Sequence, residues 1–161
     1  MDRTRAPGLA VGSGPDRPEP GHRTGSPRRA PWAVLVAVST GGGLGSLARY
    51  AVGGALPTPP AGFPWTTFGV NVAGCLLIGV LMVLVGRVWP RRRLLRPFLG
   101  VGVLGGLTTF SLPMVEALRL AEAGAEATAL TYLAGTAVAG LAAVLTGLAG
   151  TRWVVARLVH R

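Results

Sequence analysis

This chain has 161 residues, half of them hydrophobic and only 14% charged, with a formal net charge of +10. An ordinary soluble domain carries about a quarter of its residues as Asp, Glu, Lys and Arg, so the composition points to a polytopic membrane protein instead. All sixteen basic residues are arginine, and they stand in the N-terminal stretch and at the ends of apolar runs, where bilayers place cations, which argues for membrane lipid and against nucleic acid as a partner.

Residues 1–30 are dominated by Pro, Gly and Arg and hold no apolar run. They cannot bury enough surface to offset the entropy of ordering, and the stretch reads as a disordered tail. It lacks the apolar core of a cleaved signal peptide. Residues 31–161 read as a single all-α transmembrane domain. Four stretches approach the roughly 20 apolar residues that cross hydrocarbon: Pro31 to Gly54, Trp65 to Gly86, Pro97 to Leu118 and Thr128 to Gly150. Trp32, Trp65, Trp89 and Trp153 fall beside the ends of these spans, at headgroup level. The proline-rich segment Leu56 to Pro64 cannot continue a helix and reads as a loop.

An even number of spans puts both termini and the loop between spans two and three on one face. Every arginine except Arg49 and Arg119 falls on that face. By the positive-inside rule both ends are expected to be cytoplasmic. Small residues recur four apart as Gly41/Gly45, Gly69/Ala73, Gly102/Gly106 and Gly135/Ala139. Such spacing lets helices approach closely in lipid and predicts a tight bundle without a wide aqueous pore.

Polar side chains at membrane depth are costly and mark pairing or function. Arg49 lies near the end of the first span, where it either snorkels to headgroups or serves a path. Asn71 has only apolar neighbours on its own helix, so its amide must reach another helix or a ligand. Glu116 has Arg119 at i, i+3 as a partner; on charge alone an unpaired carboxylate favours a cation or proton path. In the fourth span Tyr132 and Thr136 share a face with Gly140. Their hydroxyls either meet a passing ion or bond carbonyls of the previous turn.

The most informative stretch is Gly105-Gly106-Leu107-Thr108-Thr109-Phe110-Ser111 in the third span. Lipid tolerates irregular polar backbone only where it is enclosed by protein or lines a path. Amide and hydroxyl donors on Asn71, Thr109, Ser111, Tyr132 and Thr136 suit a small anion stripped of water, and the positive rim of Phe110 adds to them. A helix break at Gly105 and Gly106 would free carbonyl oxygens for a hard cation.

This stretch, with Gly-Gly-Leu-Gly-Ser-Leu-Ala-Arg-Tyr at 42–50, Phe-Gly-Val-Asn-Val-Ala-Gly at 68–74 and Glu116, resembles the signature of the small fluoride-channel family, the CrcB or Fluc proteins. The resemblance covers all four spans and omits the tail. It implies a passive fluoride channel, not an enzyme, that exports fluoride from the cytoplasm and reduces its toxicity. It further implies an antiparallel dimer of four-helix subunits with a broken third helix and a structural Na+ ion held by backbone oxygens. The implied sodium positions are Gly105 and Thr108. The implied fluoride pathway takes in Asn71, Phe110, Glu116 and Arg49, with Tyr132 and Thr136 as the polar track matched by spacing. One departure is plain: the family's second phenylalanine is replaced, because Leu112 and Pro113 stand where Thr-Phe is usual. Proline offers no aromatic edge and bends a helix. That loss and the lopsided arginines both point to a heterodimer with a paralogous subunit of opposite orientation.

The rival readings are a small proton-coupled exporter, which needs an ionisable residue at mid-depth and finds its only candidate in Glu116, poorly placed near the end of span three, and a non-transporting assembly subunit. An intramembrane enzyme fits least, since His22 and His160 lie at the polar ends and no nucleophile-base or metal constellation is present.

Overall fold

The structure, a computed structural model, describes residues 31–57 and 62–159. The predicted tail (1–30), His22, His160 and the middle of the proline-rich loop (58–61) lie outside the described residues. The described chain is helical, with no strand among these residues. Helix α1 runs Pro31–Ala55 and α2 runs Trp65–Arg87. The third predicted span divides into a π-helical segment α3, Arg96–Leu104, one α-helical turn α4, Gly105–Leu107, and a separate helix α5, Ser111–Glu122. Helix α6, Glu126–Val159, closes the chain.

Among the described residues three stretches are long and apolar enough to cross a membrane: Trp65–Arg87, Arg96–Glu122 and Glu126–Leu158. Helix α1 has a comparable length, 25 residues. At about 1.5 Å per residue the 34 residues of α6 span about 51 Å, against a hydrocarbon core of about 30 Å. Its last turns, with Arg152, Trp153 and Arg157, therefore reach beyond the apolar layer. There the Arg157 guanidinium stacks 3.7 Å from the Trp153 ring centroid.

Close glycine contacts set two of the helix pairs. An added Cβ on Gly102 would come 2.9 Å from the Gly41 Cα, so α1 and α3 pack backbone to backbone. The same holds for α2 and α6, where a Cβ on Gly79 would stand 3.2 Å from the Gly147 Cα. Two of the four predicted small-residue pairs, Gly41/Gly45 and Gly102/Gly106, sit in such a contact. Gly69 and Gly135 do not, having nothing within 4 Å of an added Cβ. The Gly79–Gly147 contact lies outside the four predicted pairs.

Helix α5 ends at Gly124, whose φ of 76° is the left-handed conformation glycine adopts without a Cβ clash. The Gly124 N–H donates to the Ala121 carbonyl (2.9 Å) and the Ala125 N–H to the Leu120 carbonyl (2.8 Å). This double bond pattern satisfies the end of α5 and turns the chain back along α6. Ala117, Leu120, Ala129 and Tyr132 form the buried cluster just inside that turn. Outward faces remain apolar: Leu130, Val138, Leu141 and Leu145 of α6 are 56–70% exposed. Water would not stabilise such a face; lipid or another helix would.

Candidate functional site

The interruption in the third segment lies at Thr108–Phe110, just beyond the glycines expected to make it. Gly105 and Gly106 are helical. Thr108 is extended, with φ −81° and ψ 154°, and its hydroxyl donates back to the Leu104 carbonyl at 2.8 Å. What keeps the break open is Asn71. Its side-chain amide donates to the Thr109 carbonyl at 3.0 Å, and its side-chain oxygen accepts from the Thr109 N–H at 2.9 Å. Asn71, 7% exposed, thus imitates a backbone partner for one residue of unwound chain. This bridge meets the requirement that irregular backbone inside a bundle be satisfied by protein.

Because the Thr109 N–H is committed to Asn71, the Gly105 carbonyl loses the partner it would have in a continuous helix. Neither the Gly105 nor the Thr108 carbonyl accepts a backbone hydrogen bond across the break among the described residues. Two free carbonyls in adjacent turns are the kind of donor set a hard cation takes. They are too few to enclose it alone. The described residues also hold no cluster of three or more His, Cys, Asp or Glu side chains, so any resident cation here would depend on backbone oxygens.

Two hollows flank the Asn71–Thr109 bridge. The larger, about 640 Å³, is a groove between α2, the break, α5 and α6, and its lining includes Asn71, Thr109, Phe110 and Thr136. Gly105 and Thr108 border it as well. The smaller, about 40 Å³, is lined by Arg49, Thr67, Asn71 and Thr109 among others. Asn71 and Thr109 therefore form the wall between them, and Arg49 looks into the smaller hollow only. Phe110 is 81% exposed, so this chain alone leaves its ring almost uncovered. Ser111 is exposed too, its hydroxyl 3.2 Å from that of Thr109. Thr136 lines the groove, yet its proton goes to the Tyr132 carbonyl one turn back at 2.7 Å. Cys75 also lines the groove, half-buried.

Glu116 and Tyr132 are brought together away from the groove. The Tyr132 hydroxyl donates to one carboxylate oxygen at 2.6 Å and the Thr67 hydroxyl to the other at 2.7 Å. Arg119 is thus not the partner of Glu116, which accepts its bonds from α2 and α6 instead. The reason is the turn at Gly124, which lays α5 on α6 and points Glu116 at the fully buried Tyr132. Phe63 covers the tyrosine edge-on, ring centroids 5.3 Å apart, and Phe68 stacks edge-on against Phe63 at 5.5 Å. Thr67 was missed in the sequence reading. It stands four residues before Asn71, on the same face of α2, and that spacing was the available signal.

Pro113 is buried in the first turn of α5. In that position it costs no hydrogen bond, because the first N–H groups of a helix have no intrahelical acceptor to lose.

Residues 36–148 match the family described as CrcB-like protein, Camphor Resistance (CrcB). A protein of Nocardia farcinica named fluoride-specific ion channel FluC 2 is 57% identical over 121 residues, 75% of this chain and 86% of the relative. The chain belongs to the CrcB family. A Streptomyces avermitilis protein of the same name is 52% identical, over 73% of this chain and 78% of its own. The fluoride-specific ion channel FluC of Xanthomonas euvesicatoria is 44% identical over 78% of this chain and 96% of its own. These CrcB relatives are channels rather than enzymes. The matched stretch takes in the Asn71–Thr109 bridge, both hollows and the Glu116 cluster.

Proposed function

We propose that this chain is a subunit of a fluoride-selective passive channel that lets fluoride leave a bacterial cytoplasm through the plasma membrane. The observation that carries the reading is the Asn71-braced break, which places Thr109 and Phe110 on a groove shared with Thr136 in a chain 57% identical to a protein named as such a channel. A bare anion in low dielectric needs donors in place of its water. Asn71, Thr109, Ser111 and the rim of Phe110 offer them near the break, and Arg49 supplies positive potential at the smaller hollow. Glu116, Tyr132 and Thr136 belong to the proposed pathway as its supporting polar track.

In this reading α1 is the fourth span beside the three apolar ones, both termini face the cytoplasm, and the functional unit is an antiparallel dimer. The exposed Phe110 would then meet a second subunit, and the Gly105 and Thr108 carbonyls of two crossing breaks would hold a structural sodium ion. The arginine imbalance favours a paralogous partner of opposite orientation, since one sequence inserting both ways needs nearly balanced flanks.

The test is fluoride efflux from loaded vesicles, read with a fluoride electrode, for this chain alone and with its paralogue. Rapid efflux from the pair, unaffected by a protonophore beyond charge compensation, is expected. Flux that requires a proton gradient would overturn the channel in favour of an exporter, no flux from any pairing would favour an assembly subunit, and full flux from the lone chain would overturn the heterodimer.

A further inference from the structure

The turn after α2 builds a feature that the ion pathway does not use. The Val88 and Trp89 N–H groups both donate to the Leu84 carbonyl, at 2.8 and 3.0 Å, the Arg92 N–H to the Trp89 carbonyl at 3.1 Å, and the Leu95 N–H to the Arg92 carbonyl at 3.1 Å. This compact turn holds Arg91, Arg92 and Arg93 side by side and exposed, with Arg87 and Arg96 beyond its two ends. A hollow of about 500 Å³ opens beneath it. One wall is apolar, from Met82, Val85 and Gly86 in the last turns of α2; the other carries Arg92, Arg93 and Arg96. The three described carboxylates, Glu116, Glu122 and Glu126, are absent from its lining.

We propose that this hollow binds an anionic phospholipid, its phosphate held by Arg92, Arg93 and Arg96 and an acyl chain laid along Met82 and Val85. Guanidinium groups match phosphate oxygens as two-pronged donors, and arginine keeps its charge at any physiological pH. Charge alone would serve a free phosphate equally well. The apolar wall decides against it, because a small hydrated ion gains nothing from Met82 and Val85, whereas a lipid has phosphate and chain at just this junction of headgroup and hydrocarbon. Trp89, 37% exposed, stands in the same turn at the depth where indoles anchor. Gly86 leaves the wall open, with nothing within 4 Å of an added Cβ.

The experiment is native mass spectrometry of the purified full-length chain titrated with phosphatidylglycerol, phosphatidylcholine or inorganic phosphate. Each arginine near the headgroups contributes about fivefold to affinity, so R92Q/R93Q/R96Q should weaken phosphatidylglycerol binding roughly a hundredfold. R119Q, on the far side of the bundle, should leave it unchanged. Gly86→Phe fills the hollow without touching a charge and should weaken binding roughly tenfold or more, the equivalent of about two buried methylenes. That second variant decides the matter even if the triple variant fails to fold. Binding unaffected by Gly86→Phe would reduce the effect to diffuse surface charge and overturn the site. Displacement of the lipid by inorganic phosphate at equal concentration would overturn it in favour of a plain anion site, and equal retention of phosphatidylcholine would overturn the role of the arginines.

Discussion

Replacing Asn71 by alanine removes both bonds that hold the Thr109 backbone, the one at 3.0 Å to its carbonyl and the one at 2.9 Å from its N–H. Two magnitudes compete. Interhelical side-chain bonds in membrane proteins average about 0.6 kcal/mol, because the freed groups find other partners. A buried backbone group left without any partner costs about 1–3 kcal/mol. Thr109 belongs to the second case while the break persists: with Thr108 extended, its N–H makes no bond to the Gly105 carbonyl and it stands outside both adjoining helices. Two such groups put the cost of Asn71→Ala at about 3 kcal/mol, a shift of roughly 150-fold in the unfolding equilibrium. Asn71→Asp keeps the acceptor for the N–H but sets a carboxylate against the Thr109 carbonyl, and it should also abolish fluoride flux by placing negative charge between the two hollows. Detergent-unfolding titrations followed by tryptophan fluorescence measure the stability, since Trp65 begins the same helix. A loss under about 0.6 kcal/mol for Asn71→Ala would refute the argument: water in the groove would then be satisfying Thr109, and the break would not depend on its amide brace.

Phe110→Ile should lower flux while leaving the unfolding midpoint of the isolated chain nearly unchanged, because a ring that is 81% exposed has few intrachain contacts to lose; a large stability loss would contradict this. Tyr132→Phe should destabilise by about 2 kcal/mol, the usual range for a bond to a charged group, and combined with Thr67→Val the losses should be non-additive, since both hydroxyls serve the Glu116 carboxylate. Strict additivity in that double-mutant cycle would separate the two bonds. Gly102→Val should prevent the chain from accumulating, because its Cβ would press on the Gly41 backbone, whereas Gly135→Ala, with open space around it, should be neutral or slightly stabilising; membrane expression levels distinguish them.

The helices were legible in the sequence because apolar length and proline-rich punctuation are local properties. The second span was expected over 65–86 and the helix covers Trp65–Arg87. The oddity of the third span was equally legible, since hydroxyls and glycines do not belong in hydrocarbon. Its mechanism was not. Gly105 and Gly106 drew attention as helix breakers, yet both are helical, Gly106 lies against the Gly42 backbone of α1, and the chain unwinds where Asn71, far away in sequence, captures the Thr109 backbone. A local pattern cannot specify a bond between residues 38 apart. Glu116 is the same case. Sequence spacing offered Arg119 on its own helix, but a partly buried carboxylate is better satisfied by two directed hydroxyls than by an exposed arginine able to solvate itself.

Most of the polar hydrogens around the groove are already committed within the chain. Thr136 gives its proton to the Tyr132 carbonyl, Thr108 to Leu104, and Tyr132 to Glu116. One N–H of the Asn71 amide is committed to Thr109. What this chain leaves for an anion at the break is the other Asn71 N–H, a proton from the Thr109–Ser111 hydroxyl pair and the rim of Phe110. A small anion leaving water gives up several strong bonds, and these few donors would not replace them in low dielectric. Phe110, almost wholly uncovered, cannot exclude water from one side only. In the proposed channel a second subunit closing over the groove would add its own donors and make the path energetically reasonable, and the lopsided arginines favour an unlike chain in that role.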